Sequence, residues 1–143
     1  MHLVCPHCFS INRMPGDRVA DAPKCGRCGE PVVTGRPVDL NTDSFQRFIE
    51  RNDLPVVVVV DFWASWCGPC KMMAPVFARS AQANAGRVVY AKVDTDANAA
   101  LAQPLGIRSI PTLILFQGGQ ERARVSGAVD GASLERWIAQ HSA

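Results

Sequence analysis

The sequence is short of nearly everything that would place it on a membrane or on nucleic acid. Its net charge is only +2 over 143 residues. The basic residues of its first stretch, Arg13, Arg18, Lys24 and Arg27, are interleaved with Asp17, Asp21 and Glu30. No basic face able to follow a phosphate backbone arises from that pattern. The longest apolar run, Pro55 to Val60, is too short to cross a bilayer. The opening residues MHLVCPHC carry neither a basic segment nor an apolar stretch of the secretory kind, so a cytoplasmic protein is expected. No Gly-x-Gly-x-x-Gly occurs, which argues against a directly bound nicotinamide or flavin. Large apolar side chains are also scarce in residues 1–31. A segment so composed cannot build a core alone; it needs a metal, or it stays disordered.

What the chain has instead is cysteine, six of them, arranged as VCPHC, KCGRC and WCGPC. Three close pairs suit a reducing compartment, where free and metal-bound thiols persist, better than a secreted disulfide framework. The hydrophobic content of 48% and charged content of 20% are globular values, and the length allows one domain with a small appendage. The expected division is a four-cysteine, zinc-binding extension over 1–31, a linker over 32–37 and a domain over 38–143.

Beyond the linker the pattern is of alternating elements. PVVTGRPVDL ends in a candidate edge strand. TDSFQRFIERN reads as a helix capped by Thr42, with Phe45, Phe48 and Ile49 on one face. PVVVVVDFWA is an unalternating β-branched run, as in a strand covered on both sides. A helix is expected from about Cys67 to Ala83, kinked at Pro75. Val88 to Asp94 reads as a strand, Asn98 to Gln103 as a short helix, and 112–117 as a strand. Gly118-Gly119 then turns a hairpin into ERARVSG. SLERWIAQHS closes the chain as a helix capped by Ser133, with Leu134, Trp137 and Ile138 inward. The fold class is α/β with a mixed sheet.

WCGPC follows a buried strand and opens a helix, so Cys67 stands among uncapped amides at the positive end of the helix dipole. A thiolate is stabilised there, which makes Cys67 the nucleophile. Cys70, nearly one turn on, can attack a mixed disulfide formed at Cys67. Pro69 costs nothing at a helix start. Two core cysteines, or half of a metal site, are the plainer alternatives. Asp61 interrupts the buried strand; its carboxyl either takes up a proton and serves the dithiol or caps something at a wet strand end. Ile110-Pro111 precedes a buried strand, where a cis bond is conceivable.

Cys5 and Cys8, then Cys25 and Cys28, form two knuckles at a spacing that suits tetrahedral Zn²⁺. An iron–sulfur ligand set and disulfides remain alternatives, and His7 is expected to stay exposed.

VDFWASWCGPCKMMAP, KVDTD, GIRSIPTLILF and GAVDGASLERWI occur here in order. Over about residues 38–141 the chain resembles the thioredoxin family, and with its two early pairs it is similar to the bacterial thioredoxin 2 type with a zinc-binding extension. The resemblance implies a thiol-disulfide oxidoreductase of reducing character, judged by Gly68-Pro69. In it Cys67 is the exposed attacking thiol, Cys70 resolves, Asp61 is a buried carboxylate and Lys92 its charged neighbour. Trp63 would pack beneath the site, and Pro111 would be cis and face the disulfide. Ile110 would pair with the substrate backbone, while Trp66, Gly106, Ile107, Gly127, Ala128 and Val129 would line a docking rim. The implied partners are an NADPH-dependent flavoprotein thioredoxin reductase and oxidised proteins. A monomer with one structural Zn²⁺ is expected, held by Cys5, Cys8, Cys25 and Cys28, without nucleic acid or membrane. Rival readings are a ribbon that binds other macromolecules, and a thiol-based stress sensor.

Overall fold

The computed structural model describes residues 1–53 and 56–142. The chain begins with a two-stranded antiparallel hairpin, β1 (His2–Val4) and β2 (Ile11–Arg13), followed by a 3-10 turn at Gly16–Asp21. Then come β3 (Val38–Leu40), α1 (Phe45–Arg51), β4 (Val57–Trp63), α2 (Gly68–Ala83), β5 (Val88–Asp94), α3 (Ala99–Ala102), β6 (Thr112–Gln117), β7 (Gln120–Ser126) and α4 (Gly131–His141). The main sheet has the order β3-β5-β4-β6-β7. β3 and β4 run parallel to β5, whereas β6 and β7 are antiparallel to their neighbours. The expected mixed sheet is present, with β3 at one edge and β7 at the other. Pro55, expected to open the central strand, lies outside the described residues.

β4 is covered on both faces, which is why its sequence shows no alternation. Val58, Val60 and Phe62 face the layer that contains α1, with Phe45, Phe48 and Ile49. Val57 and Val59 face α2 and α4, with Met73, Phe77, Leu134 and Ile138. Trp137 is only half-buried against this second layer. Asp61, in phase with Val57 and Val59, therefore projects into the α2 side. Gly118 and Gly119, at φ of 59° and 81°, supply the left-handed turn that joins β6 to β7, a conformation that few other residues adopt cheaply.

Two caps differ from expectation. Thr42 does not cap α1: its N–H and hydroxyl both donate to Asn98 Oδ1, at 3.0 and 3.2 Å. Asn41 and Ser44 instead exchange side-chain bonds, Ser44 N–H to Asn41 Oδ1 at 2.9 Å and Asn41 N–H to Ser44 Oγ at 3.0 Å, the reciprocal arrangement of a capping box. α4 is capped by Asp130, whose Oδ1 accepts from Ser133 N–H at 2.8 Å. Ser133 lies inside the helix.

The extension is not a separate ball. Leu3, Met14 and Val19 share a cluster with Val32 of the expected linker and Val56 beside β4. Val4 enters the layer around Phe48, and the Phe9 ring meets Phe48 edge-on, with centroids 6.3 Å apart. Val4 N–H donates to Asn52 Oδ1 at 2.9 Å. His2 N–H and Nδ1 both reach the Asp53 carboxylate at 2.9 Å, and Asp53 N–H returns to His2 O at 3.1 Å. All these contacts lie near the start of β4 and β5, whereas WCGPC follows the end of β4. About 20 Å of strand separates the two ends.

Candidate redox site and metal centre

Cys67 and Cys70 are joined as a disulfide, with Cα atoms 5.2 Å apart. Cys67 is the N-cap of α2 rather than a member of its first turn, and Pro69 sits at the helix start, where its missing N–H removes no bond. The Cys70 backbone N–H points at Cys67 Sγ, 3.2 Å away. The sulfur occupies the place of a capping oxygen, so the helix terminus stabilises negative charge on it. α2 continues through Pro75 as expected.

Opposite the pair stands the Ile110-Pro111 bond, which is cis. Ile110 O lies 3.7 Å from Cys67 Sγ. Ile110 and Trp63 pack against Ala64, Cys67 and Cys70 as one small cluster. Gly127 N–H donates to Pro111 O at 2.8 Å, which ties the Gly127–Val129 stretch to the same loop. Gly127 and Ala128 are exposed, while Val129 is half-buried against the α2 side of the sheet. Gly106 and Ile107 close α3; Gly106 is exposed, and Ile107 packs against the α1 layer. The exposed attacking thiol is not found in this state: Cys67 and Cys70 are each only 4% exposed. What projects is Trp66, 68% exposed, its indole N–H fixed to Asp96 Oδ2 at 2.8 Å.

On the α2 side of β4, Asp61 is 1% exposed, and neither of its oxygens meets a hydrogen-bond donor among the described residues. Burial pushes its carboxyl up to about 6, against the pull of the Lys92 charge. Lys92 is the register partner of Asp61 on β5, but its ammonium stands over the Trp63 ring, 4.7 Å from the centroid.

At the other end of the sheet the four remaining thiols converge, all sulfurs within 4.8 Å of one another. Cys5 and Cys28 are 3.6 Å apart, as are Cys8 and Cys25. A tetrahedral ion about 2.3 Å from each sulfur would set them about 3.8 Å apart. The knuckles are built alike: Phe9 N–H returns to Cys5 O and Gly29 N–H to Cys25 O, both at 2.9 Å. The residue closing each has positive φ, 59° at Phe9 and 79° at Gly29. His7 N–H and Arg27 N–H point at Cys5 Sγ and Cys25 Sγ, each at 3.4 Å, and the Asn12 amide reaches Cys25 Sγ at 3.5 Å. The backbone N–H of Cys28, then the Asn12 amide, bring the Cys25 thiol down to about 6. Four sulfurs this close cannot all ionise without a cation among them, so the donor set fits a metal. His7 is exposed and stands outside the set.

Residues 36–140 match the family model described as Thioredoxin. The chain belongs to the thioredoxin family. Residues 4–30 match the model described as Thioredoxin 2, N-terminal, so the family domain carries a zinc-ribbon-like extension. Thioredoxin C-3 of Corynebacterium nephridii is 46% identical over 140 residues, covering 98% of this chain and 94% of its own. Thioredoxin 1 of a Nostoc species is 48% identical over 101 residues, covering 70% of this chain and 92% of its own. The solved thioredoxin of Malassezia sympodialis aligns with a TM-score of 0.67 at 40% identity, over 82% of this chain and all of that one.

This thioredoxin is accordingly a thiol-disulfide oxidoreductase with a cluster of four cysteines able to coordinate a metal ion. No helix among its described residues is long and apolar enough to cross a membrane. The sequence reading missed Asp96, although it lies inside the KVDTD motif; nothing in the spacing announces its bond to Trp66. It also missed Asn12, Asn52 and Asp53, whose roles depend on where the extension docks.

Proposed function

We propose that this thioredoxin is a protein disulfide reductase in which Cys67 attacks and Cys70 resolves. The observation that carries the reading is the Cys70 N–H aimed at Cys67 Sγ from the start of α2. In the reduced protein that donor favours the Cys67 thiolate. The thiolate attacks a target disulfide, a Cys67–target bond forms, and the first target sulfur leaves as thiolate. Cys70 then loses its proton and attacks Cys67 Sγ; the 67–70 disulfide forms and the second target sulfur leaves. Two electrons have passed to the target. Asp61, on the α2 side of β4 with a carboxyl at about 6, is the acceptor for the Cys70 proton. Lys92 tunes that carboxyl.

Targets dock over Trp66, Gly68 and Pro69, and pair with the Ile110 backbone beside cis-Pro111. Gly106 and Ile107 on one side and Gly127 to Val129 on the other complete the rim. Ile107 and Val129 contribute mainly by shaping it, since both are half-buried. A flavoprotein thioredoxin reductase returns the two electrons from NADPH, and oxidised proteins are the substrates of a cytoplasmic monomer.

Cys5, Cys8, Cys25 and Cys28 hold one Zn²⁺, which orders residues 1–31 and leaves no ligand position open for catalysis. Residues 32–37 join this extension to the redox domain from 38 onward, with Val32 shared between them.

Insulin-disulfide reduction by the wild type and by Cys67→Ser tests the reading. Loss of at least two orders of magnitude is expected. A variant retaining wild-type turnover would exclude Cys67 as the attacking group.

A further inference from the structure

Three buried polar atoms lack a hydrogen-bond partner among the described residues: both carboxyl oxygens of Asp61 and the indole nitrogen of Trp63. The two residues stand at alternate positions of β4, so their side chains leave the same face of the sheet. Lys92 lies opposite Asp61 in parallel register on β5 and is in phase with Val88 and Tyr90, which face α2. A lysine so placed has the reach to pair with the carboxylate. Among the described residues, however, the ion pairs are His2–Asp53, Arg18–Asp21 and Arg124–Glu121. The Lys92 ammonium instead stands over the Trp63 ring, an arrangement that the electron-rich face of an indole favours.

We propose that Trp63 is a positioning residue: its ring holds the Lys92 ammonium off the Asp61 carboxyl, which leaves that carboxyl able to accept and return a proton near neutral pH. Two opposed failures show why a middle setting is required. An ammonium in contact would stabilise the carboxylate until it no longer accepted a proton from a thiol. With no cation near, burial would keep the carboxyl protonated and useless as an acceptor. Among the described residues Lys92 is the charge that acts on Asp61. β6 presents Leu113 opposite Asp61, and on α2 Lys71 and Arg79 are exposed. Glu135 of α4 is bonded to Ser80 and Asn84, and Tyr90 joins that same network. Trp63 also packs against the cluster that holds Cys67 and Cys70, so the ring that carries the cation also borders the disulfide.

The inference rests on the proposed proton-accepting role of Asp61, and the test separates the two. The Asp61 carboxyl is followed by ¹³C NMR against pH in the oxidised full-length protein, where no thiol of the pair titrates. Trp63→Leu should release the ammonium and lower the titration midpoint by about 1–3 pH units. Trp63→Phe, which keeps an aromatic face and much of the packing, should lower it less. Lys92→Met should raise the midpoint, and adding Trp63→Leu to Lys92→Met should change nothing further. Equal shifts for Trp63→Leu with and without Lys92, or no shift in either tryptophan variant, would overturn the positioning role. Independently, an unchanged pH profile for mixed-disulfide resolution in Asp61→Asn would overturn the proton-accepting role and leave the NMR cycle to decide the positioning.

Discussion

Cys25-Gly-Arg-Cys28 and Cys67-Gly-Pro-Cys70 share their spacing and their second residue, and both aim backbone N–H groups at the first sulfur, yet they end in different surroundings. The divergence lies just after the second cysteine. In the knuckle, Gly29 turns left-handed and its N–H closes on Cys25 O at 2.9 Å, so the chain doubles back to the Lys24–Pro31 bridge. At the redox site Lys71 N–H donates to Cys67 O at 3.2 Å and the chain continues as α2. One path faces its sulfurs toward a second knuckle 3.6 Å away. The other leaves them against Ile110 and Trp63, with no further sulfur in their cluster. A Cys-x-x-Cys spacing thus brings two sulfurs together, and the path of the chain after it decides whether they meet a second pair.

The largest expected effect separates the two sites outright. Cys25→Ser should take bound zinc from one ion per chain to none and melt the hairpin, while disulfide reduction persists. Cys67→Ser should do the reverse. Metal analysis alongside the insulin assay checks both, and loss of zinc in Cys67→Ser would break the comparison.

Next comes the contact between the regions. Phe48 is 1% exposed and meets both Phe9 and the core of the redox domain, so Phe48→Ala should cost about 3–5 kcal/mol. Chemical denaturation should show the loss in the zinc-loaded chain. Part of it should vanish after chelation frees the extension, because Phe9 is then no longer there to lose. An undiminished cost would mean that the extension adds nothing to this core.

Asp61→Asn should stabilise the protein in a pH-dependent way. The carboxyl lies at about 6 in the fold against 3.8 when free, so the folded state holds its proton more tightly. Below about pH 4 both states are protonated and the wild type loses nothing. Between about pH 4 and 6 its stability falls, then levels off at about 3 kcal/mol less. Asparagine removes that fall. The difference between variant and wild type, taken at each pH so that zinc loss cancels, should therefore open between pH 4 and 6; a flat difference would contradict the burial argument.

The smallest effect concerns the knuckle geometry. Gly29 has room for a Cβ but sits at φ of 79°, so Gly29→Ala should destabilise the extension by about 1–2 kcal/mol. Zinc affinity should fall with unchanged reduction by Cys67. Phe9 bears the same strain at φ of 59° while its ring meets Phe48.

Much of this is legible in the sequence alone. Val88–Asp94 and Thr112–Gln117 were legible because buried β-branched runs end at turn residues, and the cysteine pairs because their chemistry needs close sulfurs. The helix caps were not: Asn41, Thr42, Ser44, Asp130 and Ser133 can all cap, and tertiary partners such as Asn98 decide which one does. The shielding of Cys67 depends on its packing with Ile110, far away in sequence. The docking of residues 2–9 on α1 was illegible for a similar reason. A sparse apolar segment does not announce that Val4 and Phe9 complete another element's core.

Timed alkylation of the reduced, zinc-loaded protein at pH 7, with peptide mapping, tests most directly whether one spacing serves two chemistries. Cys67 should label first, Cys70 more slowly, and Cys5, Cys8, Cys25 and Cys28 only after a chelator removes the metal. Labelling of Cys70 ahead of Cys67, or of the four knuckle thiols as fast as Cys67 with zinc in place, would contradict the account.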